Sequence, residues 1–232
     1  MTGTGRGRQH PYFALPTPWL IAHRGGSLEA PENTLEAFER AAALGAVAIE
    51  TDVHLSADGV VMVFHDDDTA RITGVPGTIE ARTLAELQAL DAGWGFTPDG
   101  GRTFPWRGKG VRIPTLADAL ARFPQLRFNV EAKGDEPELA EALARVLEAA
   151  GREGSACVGA AHLKQSLRLK ERLPGYARFL PTALAAPHFF GLSWLLPARL
   201  KDFDLAAVPI RQFGIPVIWP YVVRHFHRRG MA

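Results

Sequence analysis

A chain of 232 residues, 47% hydrophobic and 22% charged, has the length and composition of one α/β domain with a sizeable core. Its net charge of +1 offers no field to attract nucleic acid or an acidic membrane surface, and one cysteine, Cys157, excludes an intrachain disulfide. With no apolar signal-peptide core at the N-terminus and no apolar run near the ~20 residues of a membrane span, the expectation is a soluble cytoplasmic protein without stable membrane insertion.

Residues 1–18, rich in Gly, Pro and polar side chains, read as an irregular N-terminal arm, and residues 19–232 as one domain. Trp19 to His23 is a short apolar strand ending at a histidine, followed by Arg24 and two glycines. Asn33 or Thr34 can cap the next helix, whose apolar positions Leu35, Phe38, Ala42 and Leu44 recur at helical spacing before Gly45. Ile49 to Leu55 (IETDVHL) alternates strictly: Ile49, Thr51, Val53 and Leu55 face one way, Glu50, Asp52 and His54 the other. Two carboxylates and an imidazole on one strand face mark either a solvated edge or a site holding a cation; the strand alone leaves both open.

The turn SADG leads to a strand, VVMVFH, with Val61, Val63 and His65 on one face. From about Asp66 to Gly110 the periodicity weakens into a long insertion, interrupted by a short helix at whose start Thr83 and Glu86 are placed as a capping box. A capped helix (IPTLADALARFP) precedes the strand LRFNVEAK, where Arg127, Asn129, Glu131 and Lys133 alternate with Phe128, Val130 and Ala132. An amphipathic helix ends at Gly151. Beyond it come a strand (ACVGAA), a helix (HLKQSLRLKERLPG), a strand (YARFLPTAL), a proline-broken apolar segment, a strand (LAAVPI) and a final helix (YVVRHFHRRG). Strands alternating with helices predict a parallel sheet with right-handed crossovers, and charged residues at several strand ends favour a (β/α)8 barrel over an open sheet. Strands beginning at Trp19, Val47, Val60, Leu126, Ala156, Ala177 and Leu205 make seven, so an eighth strand and a last helix are expected to be missing.

Four of these strand ends carry polar groups: His23-Arg24, Glu50 with Asp52, His65-Asp66, and Glu131 with Lys133. Glu50, Asp52 and Glu131 supply the oxygen ligands of a hard divalent metal. Arg24 and Lys133 can hold a phosphate against it. His23 and His65 suit general acid and base catalysis near neutral pH. Together they describe metal-assisted cleavage of a phosphate ester. His54 reads as a packing or hydrogen-bonding residue and Asp66 as a support to the site, with Asp67 and Asp68 in solvated loop. His225 and His227 belong to a basic helix end.

The run AHRGGSLEAPENTLEAFERAAALGAVAIETDVHLSADGVVMVFHD strongly resembles the glycerophosphodiester phosphodiesterase family, whose hallmarks HRG, PENT, ExD, DG and HD occur in this order; RIPTL and NVEAK match later family elements. The resemblance implies a TIM barrel that hydrolyses glycerophosphodiesters to sn-glycerol 3-phosphate and an alcohol. It makes His23 and His65 the catalytic pair, Glu50, Asp52 and Glu131 the ligands of Mg²⁺ or Ca²⁺, Arg24 and Lys133 phosphate contacts, and Asn33 a residue that orients the metal ligands. Attack by water and attack by the substrate's own glycerol hydroxyl, through a cyclic phosphate, both stay open. Two departures stand out. The chain ends before the family's V-x-x-W-T-V-N-like strand and final helix, which leaves open barrel edges and a route to self-association. Ala160-Ala161-His162 stands where Ser-Phe is common. The alternatives are a truncated, weakly active or inactive barrel that binds or oligomerises, and a lysophospholipase-D-like activity on lysophospholipids, motivated by the apolar Phe189–Leu200 segment.

Overall fold

The computed structural model describes residues 10–160, 162–181, 184, 202–207, 211–212, 215–216 and 218–232. Its centre is a six-stranded sheet. β1 (Ile21–His23), β2 (Ala48–Leu55), β4 (Arg127–Ala132), β5 (Ala156–Ala160) and β6 (Ala177–Arg178) are parallel neighbours in the order β1-β2-β4-β5-β6. A single parallel bridge, Phe179 to Leu205, continues the order past β6. The apolar LAAVPI stretch expected as a full strand shows no more than this bridge among the described residues, and 208–210 lie outside them. Phe189–Leu200 also lies outside the described residues.

Within this sheet the expectation of parallel strands fails at one place. β3 (Val61–Val63) pairs antiparallel with β2, Val53 opposite Val63 and Leu55 opposite Val61. The reason is the turn: Ser56 to Gly59 is far too short for a crossover, which needs about a dozen residues, so the chain folds straight back. The Ser56 hydroxyl donates to Asp58 and accepts from the Val60 amide, while the Ser56 carbonyl accepts from the Gly59 amide and the Ser56 amide donates to the Val60 carbonyl. The return carries His65 back to the level of Asp52, whose carbonyl accepts from the Phe64 amide at 2.9 Å.

One face of the sheet is apolar. Ile49, Val53, Phe128, Val130, Ala132, Val158 and Ala160 pack under α1 (Leu35–Ala43), α4 (Leu116–Arg122), α5 (Pro137–Ala149) and α6 (Leu163–Arg172), through Phe38, Leu120, Leu139, Leu143 and Leu169 among others. These helices start where the sequence caps them: Thr34 and Thr115 accept from backbone amides three residues on, and Pro137 opens α5 with a fixed φ and no amide to satisfy. The insertion contains α2 (Ala70–Thr73) and α3 (Leu84–Gln88), and the expected Thr83–Glu86 capping box is formed. It has a small core of its own, where Ile79, Leu87, Ala92, Val111 and Ile113 meet Met62 and Phe64.

Within the N-terminal arm, Pro11–Phe13 forms a 3-10 turn and Tyr12 is fully buried against Cys157, Ala177 and Phe179. The Tyr12 hydroxyl donates to Asn129 on β4, so the arm closes the amino-terminal end of the sheet's inner face. Toward the C-terminus, β7 (Arg211–Gln212) and β8 (Ile215–Pro216) form a short antiparallel ladder and α7 (Pro220–His227) follows. No described helix is long and apolar enough to cross a membrane.

Candidate active site

The other face of the sheet is polar, and the period of two places its groups side by side. β2 presents Glu50, Asp52 and His54; β4, in register, sets Asn129 beside Glu50 and Glu131 beside Asp52. Oxygen atoms of Glu50, Asp52 and Glu131 lie within 4.8 Å of one another, a grouping able to hold a metal ion. Burial, with the charges of Asp52 and Glu131, pushes the Glu50 carboxyl up to about 8. Lys133 enters from the strand end: its Nζ lies 2.9 Å from Asp52 Oδ1 and 2.7 Å from Glu131 Oε2. Those two carboxylates raise the lysine's pKa against the desolvation that lowers it.

β1 ends at His23, opposite Glu50, and this early stop leaves the β1-side edge of β2 open above that level. The chain from Arg24 to Asn33 fills the gap. The Arg24 amide donates to the Glu50 carbonyl at 2.8 Å and the Glu50 carboxylate at 3.2 Å. Arg24 Nε lies 3.5 Å from Asp52 Oδ2, buried and without a hydrogen-bond acceptor among the described residues. Arg24 and Asn33 both adopt left-handed backbone, with φ of 52° and 57°, and the Asn33 amide closes the loop onto the Arg24 carbonyl at 2.9 Å. Gly25 has φ 79°, and a Cβ there would sit 2.5 Å from the Phe38 ring, so the turn after Arg24 requires glycine. Asn33 Nδ2 donates to Asp52 Oδ2 at 3.0 Å, and its Oδ1 accepts from the Thr51 hydroxyl at 2.7 Å.

His23 Nε2 is 3.7 Å from Glu50 Oε2. Partial desolvation and then the Arg24 charge lower its pKa, and His65 is near enough to add to the effect. His65 reaches the site from the β2–β3 hairpin, not from the end of a parallel strand; its Nδ1 pairs with Asp66 Oδ1 at 2.7 Å. His54 does not join the carboxylates. It is buried, 2.7 Å from Glu80 of the insertion and 3.3 Å from the His65 carbonyl, so it ties the insertion to the loop bearing His65. Asp67 and Asp68 are exposed, and Asp68 accepts from the Ala70 and Gly77 amides.

Every residue that the sequence nominated for the site is therefore gathered at one end of the sheet. Two participants were not nominated. Glu32, inside PENT, accepts from Arg24 Nη1 at 2.9 Å, and Arg71 bonds both Glu32 and Asp66. The PENT motif carried a signal for Glu32; nothing local marks Arg71.

Known proteins resemble this chain throughout the region. It is 43% identical over 116 residues to a glycerophosphodiester phosphodiesterase of Caldanaerobacter subterraneus, covering 49% of this chain and 44% of that protein. The solved glycerophosphoryl diester phosphodiesterase domain of Rv2277c from Mycobacterium tuberculosis superposes with a TM-score of 0.69 at 28% identity, over 77% of this chain and 65% of that one. An Oleispira antarctica phosphodiesterase, solved with the product sn-glycerol 3-phosphate, gives 0.62 at 26% identity, over 92% and 90%. The fold is thus that of the family's TIM barrels, although the sheet does not close among the described residues. The chain spans about half the length of the curated relatives it matches. Residues 23–152, more than half of the sequence and all of the residues gathered at the site, match the glycerophosphoryl diester phosphodiesterase family, and the chain belongs to it.

Proposed function

We propose that this chain is a divalent-metal-dependent enzyme that hydrolyses glycerophosphodiesters to sn-glycerol 3-phosphate and an alcohol. The observation that carries this reading is the carboxylate group Glu50, Asp52 and Glu131, whose oxygens lie within 4.8 Å of one another on one face of the sheet, with Lys133 and Arg24 beside them. Clustered hard oxygen donors fit Mg²⁺ or Ca²⁺. Such an ion, when bound, neutralises the carboxylates and polarises a phosphoryl oxygen.

The protein's own groups supply the rest. Arg24, whose buried Nε lacks an acceptor, and Lys133 bind the anionic oxygens of the phosphodiester. His23, its pKa lowered and so neutral at pH 7, takes a proton from the attacking hydroxyl. His65, its Nδ1 engaged by Asp66, presents Nε2 to the leaving alcohol and protonates it. In direct hydrolysis the water oxygen bonds to phosphorus, the bond from phosphorus to the alcohol oxygen breaks, and the alcohol departs with the proton from His65. If the glycerol hydroxyl attacks first, the product of that step is a cyclic phosphate, which water opens with the histidine roles exchanged.

The test is release of sn-glycerol 3-phosphate from glycerophosphocholine with Mg²⁺ or Ca²⁺ and then with EDTA, alongside Glu50→Ala and His23→Ala. Metal-dependent turnover lost in both variants is expected; absence of turnover in a folded, metal-supplied sample would sink the reading.

One observation favours an amphiphilic substrate as a second reading. A groove of about 430 Å³ runs from His23 past the exposed side chains of Leu20, Ile21, Leu28 and Leu44. An acyl chain laid there would make lysophosphatidylcholine the better substrate, and faster turnover of glycerophosphocholine would reject it.

A further inference from the structure

The structure assigns to Arg71, on α2 in the insertion, the role of a positioning residue for the reaction proposed above, on which this inference rests. Its Nε lies 2.5 Å from Asp66 Oδ2 and its Nη2 3.0 Å from Asp66 Oδ1. The same guanidinium reaches Glu32, with Nη1 3.1 Å from Oε2 and Nη2 2.7 Å from Oε1. Each of these carboxylates has a further partner in the site. Asp66 Oδ1 is paired with His65 Nδ1, and Glu32 Oε1 accepts from Arg24 Nη1. One planar cation therefore clamps the two acids that hold the imidazole and the phosphate-binding arginine, across 39 residues of sequence to Glu32.

The residue type follows from the task. Only a guanidinium offers a rigid fork of donors that can grip two carboxylates at once, whereas a lysine ammonium is a point charge. Ligating atoms of Glu32, His65 and Asp66 lie within 4.8 Å of one another, so two like charges are crowded around one imidazole. Arg71 neutralises them in place. Without it they repel, Asp66 swings from His65, and Glu32 no longer fixes Arg24. Because its N–H groups already face Glu32 and Asp66, Arg71 acts through these neighbours and not on the substrate.

The experiment compares wild type, Arg71→Met, Arg71→Lys and Asp66→Asn, with the Asp66→Asn/Arg71→Met double variant. It uses full-length protein, glycerophosphocholine and saturating Mg²⁺, and reads the His65 tautomer by ring ¹⁵N NMR in the same samples. A displaced catalytic group costs on the order of 10²-fold, so Arg71→Met is expected to lower kcat by about 10- to 100-fold with little change in KM. Arg71→Lys recovers part of the loss, and the double variant loses less than the product of the single losses. In the wild type His65 keeps a proton on Nδ1, toward Asp66, whether or not Nε2 carries the proton it transfers, and that preference is lost in Arg71→Met. Wild-type kcat with an unchanged tautomer in Arg71→Met, a loss confined to KM, or fully additive losses would each overturn the inference. If wild type shows no turnover, the proposed reaction fails, while the His65 tautomer in the Arg71→Lys and Arg71→Met proteins still decides what Arg71 does.

Discussion

Asn33 and Asp52 are joined by a 3.0 Å hydrogen bond that aims the carboxylate, because Asn33 is itself held by the Thr51 hydroxyl and by a left-handed backbone that asparagine tolerates. Replacing it should act on metal affinity before it acts on stability. Asn33→Ala leaves Asp52 free to turn, and loss of an outer hydrogen-bond partner typically weakens metal binding by about 10- to 100-fold. Titrating Mg²⁺ against activity should show the half-saturating concentration rising by that order, with kcat at saturation largely retained. An unchanged half-saturating concentration would show that Asp52 needs no such support.

Lys133 sits between Asp52 and Glu131, with its side chain 15% exposed. Removing one partner of a buried charge cluster costs about 3–5 kcal/mol when the partners are left uncompensated. Lys133→Met should therefore melt well below wild type in EDTA, and a saturating divalent ion should restore much of the difference while activity stays low. Equal melting losses with and without the ion would separate Lys133 from the metal group.

The strand alternation made the central group readable. A period of two puts Glu50 with Asp52 and Glu131 with Lys133 on one face, whatever the fold around them. The caps at Thr34, Thr83 and Thr115 were equally local. The direction of β3 was not, since an antiparallel strand and a parallel one share the same alternation; only the four-residue turn held the information. Arg71 and Glu32 meet through the packing of an insertion that lacks periodicity, and Tyr12 lies in an arm whose composition suggests no core residue. The arm's burial depends on a hole at the end of the sheet that only the assembled strands create.

Glu50 gives the metal-free protein a pH signature. In the folded state its carboxyl is raised from an ordinary value of 4.5 to about 8, first by burial and then by Asp52 and Glu131. Between those values the folded protein holds a proton that the unfolded chain releases, so this contribution is fully present below about 4.5 and lost as the pH rises through about 8. In EDTA, the melting temperature of wild type should fall from pH 5 to pH 8 relative to Glu50→Gln, which cannot titrate. Saturating Mg²⁺ should remove that difference. Parallel curves for the two proteins in EDTA would mean that Glu50 is ionised without a metal.

Tyr12 closes the inner face from below, and its hydroxyl meets Asn129 on the same strand as Glu131. Tyr12→Phe keeps the packing but leaves the buried Asn129 oxygen without its donor, a loss of about 1–3 kcal/mol. Chemical denaturation should show it as a lower midpoint with unchanged slope, while kcat stays within a factor of two or so, because the catalytic groups lie farther up the strands. A large fall in kcat at full stability would mean that the arm controls the site directly.

Among the described residues, Arg152 is a buried guanidinium with no carboxylate among its bonded partners. It donates to the carbonyls of Leu120, Phe123, Pro124 and Leu126, and so collects the chain ends that leave α4 and enter β4. Burial lowers its pKa, yet a guanidinium keeps its charge, and the ring of carbonyl dipoles must hold it. Arg152→Ala removes the donors from several buried carbonyls at once, with an expected loss of about 3 kcal/mol, at the upper end for single substitutions. Arg152→Lys should recover little, because one ammonium cannot reach acceptors spread around a planar fork. β4 carries Glu131 and leads into Lys133, so the loosened start of that strand should also make the apparent metal affinity temperature-dependent in the variant. Denaturation of the three proteins, with Mg²⁺ titrations at two temperatures, checks both effects; near-wild-type stability of Arg152→Ala would show that water replaces the guanidinium.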